Sequence, residues 1–139
     1  AQTNLGWCYE RGKGVAVDHD KCFALYSAAA AQDYAPAICN LGVCHEMGWG
    51  TPQSWEKAVE CYRRAAEMGD EAAQCNLGWC YDARHRVADD SSQAVYLYSQ
   101  AVEQFYARAL CNLGYCYEMG HGVEKDLQEA ARLYAMGAE

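Results

Sequence analysis

The residues of this chain that could do chemistry are nine cysteines, four histidines and one serine–lysine pair. Ser54 and Lys57 have the S-x-x-K spacing of acyl-transfer enzymes in which the serine is the nucleophile. Ser54, however, stands 36 residues from Asp18 and from Asp90, at the same position of a recurring pattern. Serine and aspartate are both good helix N-caps. We therefore interpret Ser54 as a cap and predict no enzymatic activity.

The cysteines lack the spacing of a metal or disulfide site. There is no C-x-x-C pair and no H-x-x-x-H pair, so we predict no metal and no cofactor. Cys39 and Cys44, five apart on one helix, would be separated by about 7.5 Å of rise and about 140° of rotation, which is unsuitable for a disulfide. Pairing of Cys22 or Cys61 stays open. The odd total favours a reduced, intracellular protein, and we predict a cytoplasmic location.

The elements that must position these residues repeat along the chain. The triplet Asn-Leu-Gly begins at Asn4, Asn40, Asn76 and Asn112, in steps of 36 residues. A fixed period of this size is typical of a solenoid, in which each unit buries its apolar face against its neighbours. We predict an all-α, superhelical α/α solenoid. It would form one domain over residues 1–139, with four helix-loop-helix repeats at 1–36, 37–72, 73–108 and 109–139.

Each repeat reads as helix A, a loop with two glycines, and helix B. The third repeat departs from this pattern, because Arg84 and Arg86 stand where the loop glycines are expected. Phe105 likewise replaces a glycine after helix B, at the position of Gly69. If a left-handed backbone is kept there, each non-glycine residue costs about 1 kcal/mol. Otherwise the loop must be rebuilt.

The full pattern is A-x-x-N-L-G-x-x-Y-x-x-G-x-G-V-x-x-D-x-x-K-A-x-x-x-Y-x-x-A-A-x-x-G. It resembles the Sel-one-like repeat (SLR) family, a relative of the tetratricopeptide repeats, over essentially the whole chain. The resemblance implies an α/α superhelix whose concave face, lined by helix A, binds other proteins. Members are typically adaptors in secretion, protein quality control, signalling or envelope assembly, and most are not enzymes.

Helix A presents a candidate binding face opposite its core side, with aromatic residues at the centre and acids along one edge. Alternatively, the aromatics pack between adjacent A helices and the acids are merely solvated. The triplet asparagines at its edge would bridge helices, which we favour, or bind a peptide backbone. The predicted partner-binding residues are Trp7, Glu10, Cys39, Val43, Glu46, Cys75, Trp79, Asp82, Cys111, Tyr115 and Glu118. A second candidate rim comprises Trp49, Trp55, Arg84, His85 and Arg86.

The charge of the chain bounds its partners. With 19 acids and 11 bases the net charge is −8, which argues against nucleic acid. A protein or peptide segment of basic or amphipathic character fits the sign better.

No run of about 18 apolar residues exists, so we predict no membrane span. Because the chain lacks an initiator Met and begins inside a repeat, we read it as a piece whose parent could carry a signal. Its uncapped ends would allow end-to-end self-association.

The predicted function is a protein-interaction scaffold or adaptor that holds a peptide on the concave helix A face. Two alternatives stay open. One is a secreted, cysteine-rich SLR hydrolase resembling penicillin-binding or β-lactamase-like proteins. That branch carries a disulfide within each repeat, between cysteines eight residues apart, and this spacing does not recur here. The other is a structural spacer within a longer repeat protein, whose groove would be inert.

Overall fold

The computed structural model describes residues 18–82 and 90–138, and within these ranges all regular structure is helical. Helix B of the first repeat is followed by complete pairs of A and B helices. The expected all-α repeat fold is confirmed. The helices are α1 (His19–Ala30), α2 (Ala35–Met47), α3 (Trp55–Glu67), α4 (Glu71–Tyr81), α5 (Ser91–Glu103), α6 (Ala107–Met119) and α7 (Leu127–Gly137).

The chain divides into two compact units, residues 1–70 and 71–139. In the first unit α2 packs against α1 and α3. In the second unit α4 packs against α5, and α6 packs against α4, α5 and α7. An A helix therefore has neighbours on more than one side, which leaves it only a narrow exposed strip.

Helix B begins at a polar cap in each described repeat. The Ser54 hydroxyl accepts a hydrogen bond from the backbone N–H of Lys57 at 3.3 Å. Asp90 does the same for Gln93 at 3.2 Å. The interpretation of Ser54 as a cap is confirmed, because its oxygen satisfies a first-turn N–H group that has no partner within the helix.

The loop between helices A and B has the same geometry in the second and fourth repeats. Gly48 and Gly120 end α2 and α6 in the left-handed region, each with φ 72°. Two residues later, a Cβ on Gly50 would lie 2.5 Å from the carbonyl oxygen of His19. Glycine is therefore required here for close approach to helix B of the preceding repeat. Arg84 and Arg86, which break this rule in the third repeat, lie outside the described residues.

The turn from helix B to the next helix A contains a residue with left-handed backbone, whether or not that residue is glycine. Gly69 has φ 91°, whereas Asp33 and Phe105, at the same repeat position, both have φ 58°. At Phe105 the alternative of a rebuilt turn is therefore not realised. Its side chain is 81% exposed, so the backbone strain is not offset by burial of the ring.

Each unit has a buried cluster among its described residues. In the first unit, Cys22, Tyr26 and Cys44 form a buried cluster, against which Phe23 and Trp49 pack. The cluster of the second unit includes Tyr98 and several aliphatic side chains. Its buried members are Cys75, Ala94, Tyr98, Ala101, Ala109, Leu110, Leu113, Cys116 and Leu133.

Candidate functional site

The predicted acidic edge of helix A is bonded to helix B of the same repeat. In the second repeat the Tyr62 hydroxyl donates a hydrogen bond to Glu46 Oε1 at 2.9 Å. The ring of Tyr62 crosses the glycine of the Asn-Leu-Gly triplet, since a Cβ on Gly42 would lie 2.7 Å from its Cε1 atom. The glycine thus makes room for the ring, and the acid receives its hydroxyl.

The same three-residue contact recurs in the third repeat. Tyr98 donates to Asp82 Oδ2 at 2.9 Å, and a Cβ on Gly78 would lie 2.9 Å from the Tyr98 ring. Asp82 is only 1% exposed. It was predicted to contact a partner from an exposed edge, and this exposure was wrong, because the carboxylate is turned inward to the tyrosine.

In the fourth repeat the tyrosine–acid bond joins Tyr134 to Glu118 Oε1 at 2.8 Å, with Gly114 against the ring. Glu46 and Glu118 are half-buried, whereas Asp82 is buried. The acids therefore have a structural role, because each one links helix A to helix B of its own repeat. Their tyrosine partners were not predicted from the sequence, although acid and tyrosine recur together 16 residues apart in every described repeat.

Two cysteines assigned to the exposed side of helix A are instead buried. Cys39 is 3% exposed and Cys75 is fully buried, whereas Cys111 is exposed. The predicted exposure was wrong at both positions. At Cys75 the reason is visible, because Asn112 of α6 reaches its sulfur and α6 residues share its buried cluster. Whether the remaining strip binds a partner stays a prediction.

The thiols of Cys75 and Cys61 are poor nucleophiles. Burial raises the pKa of the Cys75 thiol, although the nearby Arg108 guanidinium and the Asn112 side chain oppose the shift. Burial also raises the pKa of Cys61, to which the Glu60 carboxylate adds. Because the thiolate is the reactive form, neither site favours covalent chemistry.

The triplet asparagines of the second unit connect neighbouring repeats. Arg108 Nη2 on α6 donates to Asn76 Oδ1 on α4 at 2.6 Å. Asn112 Nδ2 donates to the Cys75 sulfur at 3.6 Å. These two contacts agree with the bridging role that we favoured for the asparagines.

The central positions of the helix A face keep part of their surface accessible. Trp79, Tyr115 and, in the first unit, Val43 are half-buried. The Tyr115 ring lies edge-on to His121, with ring centres 5.8 Å apart. Of the other predicted face residues, Trp7 and Glu10 lie outside the described part of the chain.

At the second predicted rim, Trp49 stacks on His19 with ring centres 4.6 Å apart. Trp55, the first residue of α3, is half-buried. Arg84, His85 and Arg86 belong to the undescribed segment 83–89. In the first unit the rim is therefore an aromatic contact between the loop and α1.

His45 occupies the position held by Tyr81 and Tyr117 in later repeats. It is buried, lies edge-on to Phe23 at 5.7 Å, and its Nδ1 atom has no hydrogen-bond partner. Burial, followed by the charge of Lys57, lowers the pKa of His45. The uncharged imidazole is the form that this position favours.

Residues 18–82 and 90–138 contain no group of side chains suited to a metal ion, no disulfide and no membrane-spanning helix. Within these ranges no group of three or more His, Cys, Asp or Glu could hold a metal ion. Each of the eight described cysteines is a thiol rather than half of a disulfide. None of the described helices is both long and apolar enough to cross a bilayer.

Comparison with known families identifies this arrangement. The Sel1 repeat matches the chain four times, at residues 1–34, 35–70, 71–104 and 107–139. The chain belongs to the Sel1 repeat family. The expected SLR identity is thereby confirmed. Sel1 repeats mediate protein interactions, and proteins built from them are typically non-catalytic scaffolds.

Two solved structures illustrate the similarity. A Sel1 repeat protein from Oxalobacter formigenes is 31% identical, with a TM-score of 0.88 over 99% of this chain and 56% of its own. The protective antigen c5321 of uropathogenic Escherichia coli strains, which has an SLR fold, is 33% identical, with a TM-score of 0.87 over 99% of this chain and 29% of its own. The chain thus spans little more than half of one relative and less than a third of the other. The comparison with curated proteins finds no match.

Proposed function

We propose that this Sel1 repeat chain is a non-catalytic interaction scaffold, and that its second unit holds a segment of a partner protein on the strip between α4 and α6. One observation carries the proposal. Trp79 and Tyr115 keep accessible surface at equivalent positions of two neighbouring A helices, whereas Cys75 and Asp82 of the same face are buried. Partly exposed aromatic residues beside a rigid frame are common anchors of protein interfaces.

Contacts between the helices support this role, because they hold Trp79 and Tyr115 in place. Each A helix is fixed to its B helix through the contact of glycine, tyrosine and acid, and Asn76 and Arg108 bridge α4 to α6. A preorganised surface loses less conformational entropy on binding. The Ser54–Lys57 pair does not support the enzyme alternative, since Ser54 caps α3.

The proposal is tested by affinity capture from a lysate of the source organism, followed by mass spectrometry. The double variant Trp79→Ala, Tyr115→Ala is compared with Tyr96→Ala, which removes an aromatic side chain that is 59% exposed on helix B. Circular dichroism first establishes equal helicity. We expect a partner that the wild type and Tyr96→Ala retain and the double variant loses. The same partners in all three samples would show that this strip is not the binding surface.

A further inference from the structure

Arg108 gives the proposed binding strip a positive end. It is the single Lys or Arg within α4 and α6, and its side chain is exposed. Asn76 holds one arm of the guanidinium at 2.6 Å. A guanidinium has five N–H donors in a fixed plane, which match the two oxygens of a carboxylate. Cys75 is a second hydrogen-bond partner of the Arg108 side chain, so the guanidinium is oriented and still keeps further donors.

The other end of the same strip is negative. Glu118 follows Arg108 by ten residues along α6, which corresponds to about 15 Å of rise and about 80° of rotation around the helix. One oxygen of Glu118 accepts the Tyr134 hydroxyl, but a carboxylate has further lone pairs and the residue is only half-buried. Tyr115 lies between the two charges, and Trp79 holds the equivalent position on α4. The strip thus runs from a cation through aromatic rings to an anion.

This order of charges selects a partner of matching order. An extended segment places residues i, i+2 and i+4 on one side and spans about 13 Å over that distance, close to the separation of Arg108 and Glu118. A purely acidic segment would be repelled by the net charge of −8. A segment with one acid and one base avoids that repulsion.

We infer that the second unit binds an extended protein segment with an Asp or Glu side chain at Arg108, an apolar side chain at Tyr115 and a Lys or Arg at Glu118. The motif is acid-x-apolar-x-base, or the same order reversed along the chain. The inference rests on the proposed function and names the partner chemistry of that same site. It also refines the expectation of a basic or amphipathic partner by adding an obligatory acid.

The test uses fluorescein-labelled peptides with blocked ends, Gly-Ser-Glu-Ser-Phe-Ser-Arg-Ser-Gly and its reversed sequence, measured by fluorescence anisotropy. Replacing the peptide Glu by Gln should weaken binding about tenfold, the usual effect of losing one charge-assisted pair. Arg108→Glu should lose the Glu peptide and bind the peptide with Lys in place of Glu. This exchange of charges separates a direct contact from a change in fold.

The matched control is Arg64→Glu, which removes an exposed arginine paired with Asp33 in the first unit. It should leave the affinity within about twofold, since Arg64 is no part of the proposed contact and exposed charges are screened by salt. Equal binding of the Glu and Gln peptides, or no exchange of preference in Arg108→Glu, would overturn the inference and leave the aromatic strip in place. A peptide lacking Glu that binds only with a free carboxyl end would assign Arg108 to a chain terminus and overturn the side-chain assignment.

Absence of binding by every peptide of the set would also overturn the inference. Failure of the proposed function is recognised separately, by a partner captured from lysate that the Trp79→Ala, Tyr115→Ala variant retains. The two results are independent, because the lysate experiment does not depend on the chosen motif.

Discussion

The two compact units share one contact between helices A and B, but the residues exposed around that contact differ. In both, a helix A glycine receives a tyrosine ring whose hydroxyl bonds to a helix A acid, as in Gly42, Tyr62 and Glu46. The positions around this contact vary. Where the second unit has Arg108 and Tyr115, the first has Pro36 and Val43.

This difference separates positions that build the repeat from positions that are free to vary. The glycine, tyrosine and acid are constrained by contacts of about 3 Å with one another, so they recur. Position 108 is exposed, and its arginine reaches Asn76 and Cys75 of α4. The variable positions are therefore where we place the recognition of a partner. In the first unit, the corresponding variation is aromatic and includes the stack of His19 on Trp49.

The largest effect is expected from filling the shared contact. Gly78→Ala places a Cβ 2.9 Å from the Tyr98 ring, and we expect a loss of about 2 kcal/mol in the free energy of unfolding, because overpacking exceeds the gain in helix propensity. Gly42→Ala should cost as much in the first unit. Urea unfolding followed by circular dichroism measures both. Gly137→Ala is the control and should cost less, because its Cβ would lie no closer than 3.3 Å to the Cys111 sulfur and 3.4 Å to Leu110 Cβ.

The next effect distinguishes a buried from a half-buried acid. Tyr98→Phe removes the hydroxyl that bonds to fully buried Asp82, and should cost about 1.5 kcal/mol. Tyr134→Phe removes the equivalent bond to half-buried Glu118 and should cost about 0.5 kcal/mol, because water replaces part of the lost bond. The two variants are compared by urea denaturation. Equal costs would contradict the role assigned to burial.

A smaller effect of opposite sign is expected at the strained turn. Phe105→Gly relieves a left-handed backbone at φ 58° and should stabilise the second unit by about 1 kcal/mol. Asp33→Gly, at the same position of the first unit, should gain less, since aspartate tolerates this conformation better. Thermal unfolding measures both. Destabilisation by Phe105→Gly would mean that the exposed ring contributes packing that offsets its strain.

The smallest difference concerns pH and the first unit. The pKa of His45 is lowered in the folded chain, so the unfolded chain binds a proton more readily as the pH falls through about 6.5, the ordinary histidine value. The contribution of His45 to stability is thus present above that pH and is lost below it. His45→Tyr restores the residue of the other repeats. Its urea midpoint should fall less between pH 7.5 and pH 5 than that of the wild type, and an identical fall would exclude His45 as the cause.

The helical pairs and their caps were predictable, because they depend on residues close together in the sequence. The 36-residue period fixed the helical pairs, and Ser54 could be assigned as a cap because Asp18 and Asp90 stand in register with it. The burial of Cys39, Cys75 and Asp82 was not predictable from a helical wheel. A wheel gives a helix one buried side, whereas α4 is packed by α5 and α6.

The sequence by itself determined the repeat, its family and the residues that cap and terminate the helices, because these depend on contacts within a few residues and on a period of identical units. Only the tertiary structure decided which side chains of helix A remain accessible and which acids are already bonded. The pairing of Asn76 with Arg108 joins residues 32 positions apart. Such a contact depends on how the helices pack, which the pattern of a single repeat does not contain.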